Sequence, residues 1–130
     1  MMKFASIFAA VAIFAAPLAA PMAALAHTKV VASTPAEGTT VARPRVVALT
    51  FSEALLTPTA AASIVMTAMP GMANHSPMII RNFSTKWSNS NRTMTLTLRQ
   101  PLRAGTYEVR WQAAGADGHR MKGTVNFVAS

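Results

Sequence analysis

Residues 93–98 read Thr-Met-Thr-Leu-Thr-Leu, a strict alternation of threonine with large apolar side chains. Successive side chains of a strand point to opposite faces, so this stretch predicts a half-buried strand with Met94, Leu96 and Leu98 inward. A helix would scatter the same three residues around its axis. Residues 45–51 alternate as well, with Val47, Leu49 and Phe51 on one face, and residues 106–112 bury Tyr107, Val109 and Trp111. Shorter candidate strands are 28–33, 62–68, 78–83 and 123–128, the last with Val125 and Phe127 inward. Turn chemistry separates them: Thr34-Pro35-Ala36-Glu37-Gly38, Pro101 and Ala104-Gly105. About seven short strands in roughly 100 residues predict an all-β single domain, an immunoglobulin-like sandwich or small Greek-key barrel.

The strands begin only after Ala26. Before it, Lys3 supplies a short positive end, residues 4–18 are an apolar run, and Ala24-Leu25-Ala26 places small residues where a signal peptidase reads. The run is too short for a membrane span, Pro17 and Pro21 break its end, and no basic stop-transfer cluster follows at once. Residues 1–26 are therefore expected to be a cleaved signal peptide, and 27–130 the mature domain. Cleavage makes His27 the new first residue.

The chain has no cysteine. An exported domain that uses no disulfide draws its stability from its core and from ligand, and it has no lipid-modified terminal cysteine to anchor it. The formal charge of +8 falls to +7 once Lys3 is removed. The basic residues are scattered rather than gathered in a stripe or nucleic-acid motif, so with export they exclude a nucleic-acid partner and are accounted for by solubility.

Residues 66–78 hold the densest set of soft donor atoms. Met66, Met69, Met72 and Met78 accompany His75 within thirteen residues. Thioether sulfur suits Cu(I) and imidazole suits either copper state, while the absence of thiolate argues against the usual zinc and iron–sulfur sites. Met66, Met69 and Met72 at three-residue spacing would line one face of a helix as core filler. Pro70-Gly71 interrupts that run and Pro77 breaks its far end, which predicts a surface loop and favours metal ligation over packing.

The other two histidines carry different chemistry. His27, once terminal, offers its α-amino nitrogen and its imidazole together. The amine's ordinary pKa of about 8 is low enough for Cu(II) to displace its proton. Amine plus imidazole suits tetragonal Cu(II). His119 follows Asp117 by two residues in Ala116-Asp117-Gly118-His119. That spacing can aim both at one metal, or the aspartate can simply hold a turn through backbone hydrogen bonds.

Taken together, these segments resemble the CopC/PcoC family of periplasmic copper-resistance proteins. The likeness is carried by His27 after the cut, Ser33-Thr34-Pro35-Ala36-Glu37-Gly38, Phe51-Ser52-Glu53, the methionine run from Met66 to Met78, Ala104-Gly105-Thr106-Tyr107 and Asp117-Gly118-His119. It spans essentially the whole mature chain. The interval from Met72 to His75 is one residue longer than in the best-known members, through Ala73-Asn74.

The resemblance implies a cupredoxin-like Greek-key β-barrel with two copper sites at opposite ends. Cu(II) is then held by His27 through amine and ring, with Asp117 and His119. Glu53 belongs to that end of the family fold, where its simplest other role is that of a surface carboxylate. Cu(I) is held by His75 with some of Met66, Met69, Met72 and Met78. The expected function is a periplasmic carrier or buffer of copper, not an enzyme. Its expected partner is an inner-membrane copper protein or a periplasmic multicopper oxidase. A competing expectation comes from the same terminal histidine: with a second histidine it also describes copper-dependent polysaccharide monooxygenases built on β-sandwiches. Against it stand the small size of the chain and the lack of an evident aromatic platform for a glycan.

Overall fold

The computed structural model describes residues 28–72 and 76–130. The leader, His27 and His75 lie outside the described residues. Alternating residues form nine strands among those described: β1 (Val30–Thr34), β2 (Thr40–Val41), β3 (Val46–Phe51), β4 (Leu55–Ala68), β5 (Met78–Ile80), β6 (Phe83–Ser88), β7 (Thr93–Leu98), β8 (Gly105–Gly115) and β9 (Arg120–Ala129). They make a four-stranded sheet, β1-β3-β7-β6, facing a five-stranded sheet, β2-β9-β8-β4-β5. The chain crosses between sheets at β1–β2, β2–β3, β3–β4, β5–β6 and β7–β8. All pairings are antiparallel except β2 with β9.

The inward residues read from the alternation form the core. Val47, Leu49 and Phe51 on β3, Met94, Leu96 and Leu98 on β7, and Tyr107, Val109 and Trp111 on β8 are all buried, as are Val125 and Phe127 on β9. Phe51 meets Trp111 edge-on across the sandwich, with ring centroids 4.9 Å apart, and Tyr107 stacks on Phe127 at 5.6 Å. Burial drives this packing at about 25 cal/mol per Å² of apolar surface removed from water, and the aromatic pairs add geometric preference.

The strands depart from expectation in three places, two of which raise the count from seven to nine. The stretch expected to form one strand over 78–83 turns at Arg81-Asn82, so β5 and β6 belong to different sheets. On β6, Phe83 and Trp87 pack against the core two pleat repeats apart, a period-two signal weakened by the polar, exposed Thr85 between them on the same face. β4, expected over 62–68, begins at Leu55 although Pro58 lies within it. The ladder to β8 slips between Leu56 and Ala61. There the Thr59 hydroxyl accepts from the Ala114 N–H (2.9 Å) and donates to the Leu56 carbonyl (2.6 Å). A bulge bridged by a side chain is where a strand tolerates proline. β2 is a two-residue parallel pairing, too short to show a period, and is held by Glu37, whose carboxylate accepts from the Asn126 amide (2.6 Å).

Leu96→Ala is expected to cost about 3 kcal/mol, because it removes three buried carbons and leaves a cavity, whereas exposed Thr97→Ala on the same strand should stay within about 0.5 kcal/mol. Urea denaturation of both variants checks the assignment of faces.

Candidate metal centres

β8 starts on Gly105 and ends on Gly115, and each glycine makes room for a candidate donor. A Cβ on Gly115 would collide with Glu53 Oε1 and would stand 3.4 Å from Asp117 Oδ1. A Cβ on Gly105 would lie 2.8 Å from the Ala68 carbonyl oxygen and 3.3 Å from Met66 Cε. At Gly105 the obstacle is backbone, so that position favours glycine by space alone, whereas at Gly115 it is the end of the Glu53 side chain, which a larger residue would push aside. The two ends of this strand therefore organise two separate donor sets.

At the Gly115 end, a tight turn joins β8 to β9. Gly118 sits at φ 81°, where L side chains are disfavoured, and its N–H donates to the Gly115 carbonyl (2.9 Å). Asp117 completes the turn: Oδ1 accepts from the His119 backbone N–H (3.1 Å) and Oδ2 takes a hydrogen bond from ring Nδ1 (2.8 Å). These two bonds hold the Asp117 carboxyl below its usual range, the ring contact contributing most. A carboxylate only accepts, so in the neutral ring Nδ1 carries the hydrogen and Nε2 presents its lone pair. Such an arrangement is typical of a metal-binding imidazole whose second nitrogen is fixed by a carboxylate.

Glu53 reaches the same corner from the β3–β4 connection. The Thr28 hydroxyl donates to Glu53 Oε1, and Thr28 is buried. Around it, Ser52 N–H donates to the Lys29 carbonyl (2.9 Å), Lys29 N–H donates to Ser52 Oγ (3.2 Å), and Leu55 N–H donates to the Asn91 carbonyl (3.0 Å). The start of the described chain is thus tied to the loop that carries Glu53. Of the four acidic residues in the protein, two meet here. Among the described residues, no three His, Asp or Glu side chains are close enough to hold a metal ion by themselves. Thr28 and Gly115 escaped sequence reasoning: a threonine at a chain start has no motif, and Ala114-Gly115 reads as an ordinary turn.

At the other end the methionines are not all on a loop. Met66 lies on β4, directly opposite Met78 on β5 and Tyr107 on β8. It is only 3% exposed and belongs to the core, which corrects the expectation of an exposed loop position. Only Met69 and Met72 occupy the hairpin tip, where they exchange backbone hydrogen bonds across Pro70-Gly71 (3.0 and 3.5 Å). Pro at the second and Gly at the third turn position, with Gly71 at φ 78°, is the chemistry of a type II turn. Met66, Met69 and Met78 line one cavity of about 220 Å³, walled also by Ile80, Leu102 and Tyr107. Met72 is 56% exposed beyond it. The Tyr107 hydroxyl is satisfied by the Arg103 carbonyl (2.7 Å), and burial raises its pKa. The thioethers share this cavity with apolar Ile80, Pro101 and Leu102 on one part of the wall and with polar Asn82, Gln100 and Arg103 on another.

Comparison with known proteins identifies the family and the fold. The profile of the CopC domain matches residues 30–130. Copper resistance protein C of Pseudomonas syringae pv. tomato is 45% identical over 117 residues, 90% of this chain and 91% of that protein. Copper resistance protein C of Escherichia coli is 36% identical over 104 residues, covering 80% and 82% respectively. The crystal structure of PcoC, a methionine-rich copper resistance protein from Escherichia coli, superposes with a TM-score of 0.71 at 33% identity, covering 81% of this chain and 100% of that one. CopC from Methylosinus trichosporium OB3b, at 24% identity and TM-score 0.62 over 80% of this chain and 94% of its own, shares the fold. The fold is accordingly the cupredoxin-like, immunoglobulin-like β-sandwich, and the chain belongs to the CopC family.

Proposed function

We propose that this protein is an exported, periplasmic copper carrier that takes Cu(II) at the Gly115 end and Cu(I) at the Gly105 end. The observation that carries this reading is the separation of donor chemistry along β8. Carboxylates and an imidazole gather at one terminus, and thioethers gather at the other. Eleven residues of β8 lie between, on the order of 30 Å at the usual rise, so no single ion is shared. Hard and borderline donors select Cu(II), and soft sulfur selects Cu(I). Relatives described as copper resistance proteins support the choice of metal.

In this reading, removal of residues 1–26 turns His27 into an amine-plus-imidazole chelate. Thr28, to which it is peptide-bonded, is fastened to Glu53 beside Asp117. His27 and His119 then supply Cu(II) ligands, and Asp117 joins them when its carboxylate releases the His119 ring Nδ1, with Glu53 adding negative charge next to them. Cu(I) is taken by Met66, Met69 and Met78 at the cavity, with Met72 from the hairpin tip and His75, three residues further along the sequence, completing the set. A change of oxidation state moves the ion between sites or molecules. Exposed ligands such as Met72 let a partner replace donors one at a time. An inner-membrane copper protein or a periplasmic multicopper oxidase has the chemistry of such a partner. In this reading the protein acts as carrier rather than enzyme, which is supported by Tyr107 and Trp111 being core residues and by Trp87 packing half-buried against that core. Oxidised fragments released from chitin or cellulose in the presence of copper and reductant would overturn this.

One additional residue ahead of His27 removes the terminal chelate, so titration should show Cu(II) affinity falling by at least about tenfold with Cu(I) affinity unchanged. Equal loss of both ions contradicts a two-site protein. The triple variant M69L/M72L/M78L conserves volume and should keep its stability within about 1.5 kcal/mol while losing Cu(I) binding. Met66→Ala, by contrast, should cost about 2–4 kcal/mol in chemical denaturation because that side chain is in the core.

A further inference from the structure

The sulfurs of this protein differ sharply in how far solvent reaches them. Met72 and Met78 are 56% and 50% exposed. Met69 is half-buried. Met66 and Met94 are 3% and 1% exposed, with the Met66 methyl packed over Gly105. A thioether is oxidised when its sulfur lone pair attacks the oxidant, so the reaction follows access to the sulfur. The two open sulfurs also hold the positions where the reaction has most effect. Met78 pairs with Met66 in the β4–β5 ladder and lines the methionine cavity, and Met72 faces Met69 across the Pro70-Gly71 turn.

We propose that Met72 and Met78 form a reversible oxidation site through which peroxide switches off the Cu(I) end; the switch rests on the Cu(I) reading given above. Each sulfur takes one oxygen atom from hydrogen peroxide. The O–O bond breaks, an S–O bond forms, sulfur loses two electrons and the peroxide leaves as water. The product sulfoxide presents a hard oxygen in place of the soft lone pair that Cu(I) requires. At Met78 it also sets a polar, chiral group against the apolar wall of Ile80 and Leu102. Reduction restores the thioether: two electrons from a dithiol remove the oxygen as water, with one methionine sulfoxide reductase for each epimer. The buried Met66 keeps its sulfur throughout, so the site is dimmed and recovered without loss of the fold.

The test exposes the processed full domain to hydrogen peroxide and maps oxygen gain by peptide mass spectrometry. Cu(I) affinity is then read by anaerobic competition with a chromophoric chelator. Met72 and Met78 should be modified before Met66 and Met94, Cu(I) affinity should fall by at least about tenfold, and treatment with both sulfoxide reductases should restore it. In M72L/M78L, peroxide should leave the remaining Cu(I) affinity unchanged. Oxidation that proceeds equally at buried and exposed methionines, or oxidised protein that binds Cu(I) as tightly as before, overturns the switch. Untreated protein that ignores Cu(I) overturns instead the reading beneath it.

Discussion

The pairing of β8 with β4 on one side and β9 on the other is the constraint on which the rest of the molecule depends. Its inward row of Tyr107, Val109, Trp111 and Ala113 is buried, while Arg110 and Gln112 face out. A slip of one residue would turn the charged row into the core, so the register is fixed strongly by burial. That register determines which residue stands at each end of the strand. Gly105 then falls against Met66, and Gly115 falls against Glu53 and Asp117. The ladder thus converts a core-packing requirement into the placement of two chemically different corners.

Those corners are stabilised in different ways. The carboxylate corner joins an exposed local turn, made by the Asp117–His119 contacts and Gly118, to a long-range bond from buried Thr28 to Glu53, all outside the hydrophobic core. Solvent screens its charges, which lets two carboxylates approach in a chain with few acids to spare. With its carboxyl held below the usual range, Asp117 stays anionic until the pH falls well into the acid region, so its hydrogen bonds to His119 persist above that point. The methionine corner is half core and half surface. Met66 gives it a buried floor, while Met69 and Met72 sit on a two-residue turn with Met72 open to solvent. A buried floor with an accessible rim suits an ion that must be both held and released.

Much of this was legible from residue order. The strict alternation over 93–98, 45–51 and 106–112 marked the inward residues, because the side-chain period of a strand is a local property. Asp117 and His119, two residues apart on a glycine turn, are brought together as their spacing allowed, and the Asp117 bond to the backbone shows that turn-holding and ring-orienting coexist. Met66 and Met78 illustrate the limit. Their chemistry stood out, yet both belong to paired strands: β4 runs to Ala68, two residues short of Pro70, and carries Met66, while Met78 opens β5 directly opposite it. The early start of β4 at Leu55 was hidden by Pro58, whose missing donor is compensated only by a Thr59 hydroxyl close in space to Ala114, far along the chain.

By itself the sequence determined the all-β class, the inward faces and the kinds of donor atom available, since each follows from side-chain chemistry and a two-residue period. Only the tertiary structure decided that the donors divide between opposite ends of one strand, that Met66 is a core residue, and that Thr28 and Glu53 meet beside Asp117. Those outcomes depend on register and on the space left by Gly105 and Gly115, which arise from pairing between segments distant in the chain and leave no mark in local residue order.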